Sequence, residues 1–260
     1  MSRDFQTKDD ARTAIWDHLR DARLARFPFP PHGRIPNFAD AKGAAERLFE
    51  HEPWASARRM KVNPDAPQRH VRLMALQRGI TVYLPPPRLK ASALAAGFLE
   101  LDPARIPDDA LREAASLSKC ARWGRVVPVR ELPAMDAIVT GSVAVTTTGG
   151  RCGKGEGYGD LELAILTELG HPAVPVATTV HDDQVVGGFP QADTDLPLSL
   201  IATPTRSIVV PGEKPAPRGI DWSALSEERL AEMPLLLALK PSKAMRARCE
   251  GERYRTLVTR

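Results

Sequence analysis

A glycine-rich stretch at residues 150–160, GRCGKGEGYGD, has the residue types of an anion-binding loop. Glycines alternate with other residues along it, at Gly153, Gly155 and Gly157. Glycine allows positive φ and lets the backbone come close to a ligand. Consecutive backbone N–H groups, followed by a helix N-terminus, form a concavity that suits phosphate oxygens. Arg151 and Lys154 add positive charge. The pattern therefore favours phosphate binding over an ordinary glycine-rich turn, which stays the alternative interpretation.

Two further side chains of this stretch can take part in ligand binding. A carboxylate at Asp160 is placed to bind a magnesium ion that bridges phosphoryl oxygens. Tyr158 either stacks on a ligand ring or packs at the base of the loop. The spacing is neither the GxxxxGK[ST] of a P-loop nor the GxGxxG of dinucleotide-binding folds. The loop alone thus indicates an anion site without naming the ligand.

The segment RCGKGEGYGD resembles the R-x-G-x-G-x-G-Y-Y-D motif of 5-formyltetrahydrofolate cyclo-ligases. Lys8 and Arg12 are similar to the K-x-x-x-R near the N-terminus of that family, and Gln184 matches a glutamine of the family. The segment ITVYLPPPRL resembles the family strand that ends in "lPr", and TDLPLSLIATPT resembles the late H-D-x-P-x-D-x-I-x-T segment. The resemblance extends over about residues 8–205.

The resemblance implies an ATP- and Mg²⁺-dependent ligase that converts 5-formyltetrahydrofolate into 5,10-methenyltetrahydrofolate, with ADP and phosphate as the other products. In the family reaction the formyl oxygen attacks the γ-phosphorus, N10 closes the ring, and phosphate leaves. Such phosphoryl transfer depends mainly on positioning and charge neutralisation. The implied catalytic residues are Arg151 and Lys154, and the implied metal ligand is Asp160. The residues implied to bind ATP are Lys8, Arg12, Gly153, Gly155, Gly157 and Tyr158.

The expected second ligand is a small anionic substrate, a reduced folate. We expect Asn63, Asp65 and Arg88 to contact it. Each has a simpler interpretation. Asn63 and Asp65 flank a proline, and their role can be limited to forming a turn. Arg88 follows consecutive prolines and can be an ordinary surface arginine.

Four positions depart from the family pattern. Gly159 and Leu161 replace the second tyrosine of the motif and the arginine after its aspartate, and Thr194 and Ser199 replace a histidine and an aspartate of the late segment. These differences leave open a paralogue that keeps the ATP site and acts on another small molecule, for example one linked to thiamin. A separate alternative is a non-catalytic nucleotide- or RNA-binding module that uses the basic surface, which a 5% aromatic content disfavours.

Hydrophobic periodicity and turn residues predict an α/β fold: a single three-layer domain whose central sheet is mostly parallel and flanked by helices. The predicted helices span 7–26, 39–52, 68–78 (closed by Gly79) and 159–170. The predicted strands lie in SARRMKVNP and ITVYLPPPRL and at 126–129, 136–145, 174–180 and 198–205. We expect residues 1–210 to form this domain, and residues 211–260 to form a linker and a helical extension that packs on it.

Composition supports a globular protein with anionic partners. Apolar residues make up 43% of the 260 residues, and the formal net charge is +4. No apolar run approaches the length that spans a bilayer, and the first residues lack the apolar segment of a signal peptide. The three cysteines have no zinc-type spacing. We therefore expect a cytoplasmic protein, a monomer or homodimer, that does not bind a membrane and for which nucleic acid is a disfavoured partner.

Overall fold

The computed structural model describes residues 3–89, 97–212 and 219–240, with only the backbone described at residue 88. Its helices, in chain order, are α1 Lys8–Asp21, α2 Ala41–Leu48, α3 Arg69–Gln77, α4 Leu111–Ala114, α5 Tyr158–Glu168, α6 Glu227–Ala231 and α7 Pro234–Leu239. Its strands are β1 Ala25–Arg26, β2 Asn37–Phe38, β3 Arg59–Val62, β4 Thr81–Leu84, β5 Gly97–Leu101, β6 Arg125–Pro128, β7 Ala137–Thr140, β8 Ala144–Thr146, β9 Arg151–Cys152, β10 Val176–Thr179, β11 Val185–Val186, β12 Leu200–Ala202 and β13 Ser207–Val209.

The central sheet has eight strands in the order β13-β12-β10-β7-β3-β4-β5-β6. Its middle strands, from β12 to β4, pair in parallel. The outer strands β13, β5 and β6 are antiparallel to their neighbours. The prediction of a mostly parallel sheet is confirmed, while the strand predicted at 126–129 lies at the antiparallel edge.

Buried side chains cover both faces of this sheet. On one face Leu48 of α2 and Val71 of α3 pack with Met60 and Val62 of β3. On the other face helices α5, α6 and α7 share a cluster of buried residues with Ile138 of β7. Successive side chains of a strand point to opposite faces, so each face of the sheet has its own core. The predicted three-layer α/β architecture is confirmed.

Helix α1 packs against a small three-stranded sheet of order β11-β8-β9. Its buried residues Ile15 and Leu19 share a cluster with Ala144 and Cys152. Thr7 caps the helix by accepting the N–H of Asp10. This packing fixes the N-terminal end of α1 beside the chain that leads from β9 into α5.

The prediction of one strand over residues 136–145 is wrong. Strand β7 ends at Thr140, and β8 starts at Ala144 in the three-stranded sheet. The Gln184 side-chain amide donates to the carbonyls of Ser142 (3.1 Å) and Val143 (3.0 Å) and so fixes the break. Apolar residues lie on both sides of the short segment 140–142, and both strands are buried, so the change of sheet is hard to recognise from the sequence.

The helix predicted at 7–26 is also too long. Helix α1 ends at Asp21, Arg23 adopts a positive φ of 57°, and residues 25–26 pair with β2. The helix at 68–78 ends as expected, because Gly79 has a φ of 77° just beyond α3. Strands β5 and β13 were not predicted.

Helices α6 and α7 lie over the sheet in the same cluster of buried residues as α5. Ser226 caps α6 by accepting the N–H of Arg229. The division of the chain near residue 210 stays a prediction, and residues 213–218 of the predicted linker and 241–260 of the predicted extension lie outside the described part. No helix in the described part is long and apolar enough to cross a membrane.

Candidate functional site

A cavity of about 460 Å³ lies beyond the carboxyl end of β3, where residues 63–65 leave the sheet. The strand order reverses here, since β4 lies on one side of β3 and β7 on the other. Ligands of open α/β sheets bind outside the carboxyl ends of the strands at such a reversal. The position of the cavity is therefore that of a typical α/β ligand site.

The cavity brings together nearly all of the residues predicted from the sequence. Those that line it are Lys8, Arg12, Asn63, Asp65, Arg151, Gly153, Lys154, Gly155, Gly157, Tyr158 and Asp160. Arg88 lies in a short 3₁₀ turn, Pro87–Leu89, and its side chain is outside the described part, although Pro87 does line the cavity. The role of each residue stays a prediction.

The glycine-rich loop adopts a backbone conformation that favours glycine. Gly155 has a φ of 102° and Gly157 a φ of 71°, in the left-handed region. Gly157 directly precedes α5, so the unpaired N–H groups of the first helical turn lie at the cavity. Tyr158, the first residue of α5, is half-buried: it lines the cavity and also packs against the core.

Arg151 is buried and already has partners. Its Nε and Nη2 donate to the carbonyl of Gly141 at 3.0 and 2.8 Å, and its Nη1 lies 3.4 Å from Oδ1 of Asp160. The guanidinium thus joins the turn after β7 to the first turn of α5. Its positive charge lies at the floor of the cavity, while most of its N–H donors are directed to acceptors of the protein itself.

The Arg151 guanidinium also occupies the space where a side chain at position 159 would begin. A Cβ on Gly159 would lie 2.8 Å from Nη2 of Arg151. We expect Gly159→Ala to lower the free energy of unfolding by about 1–3 kcal/mol, as overpacking does. In an Arg151→Lys background the cost should shrink, because the ammonium group does not fill the same space. Urea denaturation of the double-mutant cycle measures this coupling, and equal costs in both backgrounds would contradict it.

Helix α1 supplies two cations to the cavity. Nε of Arg12 donates to the carbonyl of Gly153 at 2.7 Å. Nζ of Lys8 forms an ion pair with Asp195, which also lines the cavity. Asp195 is a site residue that the sequence interpretation did not single out, although it lies in the late segment 194–205 used for the resemblance.

Lys154 and Arg34 are the other cations at this cavity. Lys154 forms an ion pair with Glu156 at 2.7 Å. Arg34, from the loop at residues 27–36 between β1 and β2, was not predicted as a site residue. Together with Lys8, Arg12 and Arg151, they make the cavity suitable for a polyanion.

Two carboxylates at the cavity suit a magnesium ion. Asp160 accepts the N–H of Leu196 on Oδ1 at 3.0 Å. Leu196 directly follows Asp195 in the chain, and both carboxylates line the cavity. Mg²⁺ usually takes one or two protein carboxylates and completes its shell with phosphates and water. No group of three or more His, Cys, Asp or Glu residues that could hold a metal exists in the described part. Any magnesium here would therefore need ligand oxygens as well.

A buried ion pair lies under the cavity. Nζ of Lys61, on β3, contacts Glu162 of α5 and donates to Oδ1 of Asn63 at 2.6 Å. Lys61 is 1% and Glu162 4% exposed. Burial raises the pKa of the Glu162 carboxyl, and Lys61 acts against that shift. Neither residue was predicted, although a lysine inside an apolar strand segment is a signal that could have found the pair.

The turn that carries Asn63 and Asp65 is held by a buried arginine. Arg72 of α3 donates to the carbonyls of Ala115 (3.0 Å), Asn63 (2.9 Å) and Asp65 (3.1 Å). Burial lowers the pKa of Arg72 to about 10. Burial also raises the pKa of the Asp65 carboxyl, while Lys154 and other cations act in the opposite direction. Asn63 and Asp65 are thus part of a fixed cavity wall.

We expect Arg72→Lys to lower the free energy of unfolding by about 1–3 kcal/mol. An ammonium group has no planar fork of donors and leaves at least one buried carbonyl without a partner. Chemical denaturation measures the loss. Arg69→Lys is a matched control, since Arg69 is exposed on the same helix, and should change stability by less than about 0.5 kcal/mol. Equal effects of both substitutions would contradict the role of Arg72.

Comparison with known sequences identifies relatives of the chain. Residues 6–204 match the model of the 5-formyltetrahydrofolate cyclo-ligase family. The methenyltetrahydrofolate synthase domain-containing protein of Bos taurus is 41% identical over 240 residues, covering 90% of this chain and 62% of that protein. The proteins of the same name from Mus musculus and Homo sapiens are 40% and 36% identical over 63% and 61% of their lengths. The chain thus spans less than two thirds of these relatives.

Two solved structures align with this one at low sequence identity. The NMR structure of Aquifex aeolicus 5,10-methenyltetrahydrofolate synthetase covers 83% of this chain and 98% of its own, with a TM-score of 0.48 and 14% identity. The 5,10-methenyltetrahydrofolate synthetase from Mycoplasma pneumoniae covers 74% of this chain and 97% of its own, with a TM-score of 0.43 and 14% identity.

Proposed function

Because the chain belongs to the 5-formyltetrahydrofolate cyclo-ligase family, we propose that it is an ATP- and Mg²⁺-dependent ligase that converts 5-formyltetrahydrofolate into 5,10-methenyltetrahydrofolate. One observation carries this proposal: a single cavity combines positive-φ glycines, the N-terminus of α5 and cations from three separate parts of the chain. That combination suits the phosphate chain of a nucleotide.

The residues have different tasks in this proposal. Lys154 and the loop amides bind the γ-phosphoryl group and neutralise the charge that develops on its oxygens. Lys8 and Arg12, which come from α1, bind the other phosphates. An incoming phosphate offers Lys8 and Lys154 a replacement for the carboxylates of Asp195 and Glu156, with which they now pair. Arg151 holds the floor of the site and adds charge.

The reaction needs positioning more than acid–base groups. The formyl oxygen forms a bond to the γ-phosphorus as the bond to ADP breaks. N10 then attacks the activated formyl carbon, loses its proton, and expels phosphate together with the former formyl oxygen. The chain must therefore hold the formyl group in line with the phosphate and keep water away.

Magnesium supplies charge neutralisation on the phosphates when it is bound. Asp160 and Asp195 would hold it, since both carboxylates line the cavity beside the loop. On the substrate side, the fixed wall formed by Asn63 and Asp65 is proposed to contact the folate ring. Arg88 is kept as a candidate for the anionic tail.

The decisive experiment mixes the protein with 5-formyltetrahydrofolate and MgATP and follows methenyltetrahydrofolate by its absorbance. Product that requires MgATP, together with stoichiometric ADP, supports the proposal. MgATP binding without product would mean that the site is used for another substrate. Absence of MgATP binding would contradict the proposal, because the reaction requires a bound nucleotide.

A second candidate function follows from the positions that depart from the family pattern. Leu161 and Thr194 line a neighbouring cavity of about 290 Å³, which adjoins the first at Asp160 and Asp195. An altered wall beside the phosphate loop favours a paralogue that keeps ATP and acts on another small molecule, for example one linked to thiamin. Screening metabolites for MgATP-dependent ADP release would test it.

A further inference from the structure

The C-terminal helices lie beyond the segment that matches the family, which ends at residue 204. They nevertheless belong to the core over α5. Leu230 of α6 and Leu235 and Leu236 of α7 are buried in the same cluster as Leu163 and Leu166 of α5. The extension therefore packs directly on the helix whose N-terminus borders the proposed phosphate site.

This region is tied to both ends of α5. At the C-terminal end, Glu168 accepts the N–H of Ile220 and the Nε1–H of Trp222, each at 3.3 Å. At the N-terminal end, Nη2 of Arg229 donates to the carbonyl of Glu156 at 2.7 Å. Glu156 is inside the glycine-rich loop, so an arginine from outside the family segment holds the backbone of that loop.

The Arg229 guanidinium lies close to the loop backbone at the point where α5 begins. A Cβ on Gly157 would be 3.5 Å from Nη2 of Arg229. Arg229 also lines the neighbouring cavity, which is closed on one side by Asp221 and Leu225 of the extension. The side chain thus lies between that cavity and the Glu156–Gly157 peptide, at the rim of the phosphate-binding concavity.

We propose that Arg229 is a positioning residue for the glycine-rich loop. By holding the Glu156 carbonyl, it orients the Glu156–Gly157 peptide so that the following N–H groups are directed into the main cavity. Docking of α6 and anion binding at the loop then stabilise each other, as linked equilibria must. The nucleotide part of this inference rests on the proposed function, whereas the effect on the loop does not.

The first test needs no ligand. Amide hydrogen exchange over residues 153–160 in Arg229→Met should be about fivefold faster than in the unaltered protein, because one charge-assisted hydrogen bond is lost. Arg229→Lys should restore part of the protection. Arg112→Met is the matched control, because Arg112 is exposed on α4 and does not line the cavity. Unchanged exchange in Arg229→Met would overturn the inference.

The second test uses MgATP as the probe. Arg229→Met should weaken MgATP binding about fivefold, and MgATP should slow exchange over residues 226–232 in the unaltered protein by the same factor. If Arg229 only stabilised the fold, its replacement would lower the free energy of unfolding, but MgATP affinity and exchange over residues 226–232 would not change by matching factors. Equal MgATP affinity of both proteins would overturn the coupling. If MgATP does not bind at all, the proposed function fails, and the loop exchange still decides the role of Arg229.

Discussion

Under the proposed function, replacing Lys154 with alanine should lower MgATP-dependent formation of methenyltetrahydrofolate by about 100- to 1,000-fold, the range for loss of one group that stabilises transition-state charge. Lys154 is the lysine of the glycine-rich loop itself, and its side chain is 27% exposed at the cavity. Its ammonium group can therefore reach a phosphoryl oxygen without rearrangement of the core. Steady-state absorbance kinetics measure kcat and kcat/KM.

Lys42→Ala is a matched control for this prediction. Lys42 also pairs with a glutamate, Glu46, at 2.9 Å, and it is 64% exposed on α2. Its replacement should change turnover by less than about twofold, because surface ion pairs contribute little. Similar losses in Lys42→Ala and Lys154→Ala would indicate a general effect of charge. Unchanged turnover and MgATP affinity in Lys154→Ala would remove this residue from the site.

Replacing Lys61 with methionine should destabilise the protein by about 3–5 kcal/mol, the range for breaking a buried ion pair by removing one partner. The substitution keeps the apolar length of the side chain but leaves the Glu162 carboxylate buried without its cation. The double variant Lys61→Met/Glu162→Leu should be more stable than the single variant, because no uncompensated charge stays inside. Chemical denaturation of the cycle measures both values.

The loss in Lys61→Met should depend on pH. Burial already raises the pKa of Glu162, and removing Lys61 removes the charge that opposes the shift. A carboxyl whose folded-state pKa is above its unfolded value binds more protons when folded, so stability falls as pH rises through that interval. The destabilisation should thus be smaller near pH 4 than at pH 7.

The control for this pair is Lys119→Met, since Lys119 is 61% exposed and lies 3.9 Å from Glu113. It should cost less than about 1 kcal/mol and show no comparable pH dependence. A loss in Lys61→Met that is the same at both pH values would contradict the explanation by an unpaired carboxylate.

The chain's local sequence determined the conformations that depend on one or a few neighbouring residues. Positive φ at Gly155 and Gly157, and at Gly79 after α3, follows from what glycine permits. The alternation of short apolar strands with helices predicted a mostly parallel sheet, because crossover connections produce that arrangement. The glycine-rich loop and its cations are adjacent in sequence, so their residue types and spacing were enough to indicate an anion site.

Only the tertiary structure decided which distant groups meet. Lys61 and Glu162 are 101 residues apart in sequence, and Arg229 and Glu156 are 73 apart. The break between β7 and β8 depends on Gln184, from a different part of the chain. Such contacts depend on how strands are ordered and helices are packed, and residue type and spacing do not encode that order locally. The sequence could therefore predict an anion site at the glycine-rich loop, whereas the buried pair Lys61–Glu162 and the contact of Arg229 with the loop required the fold.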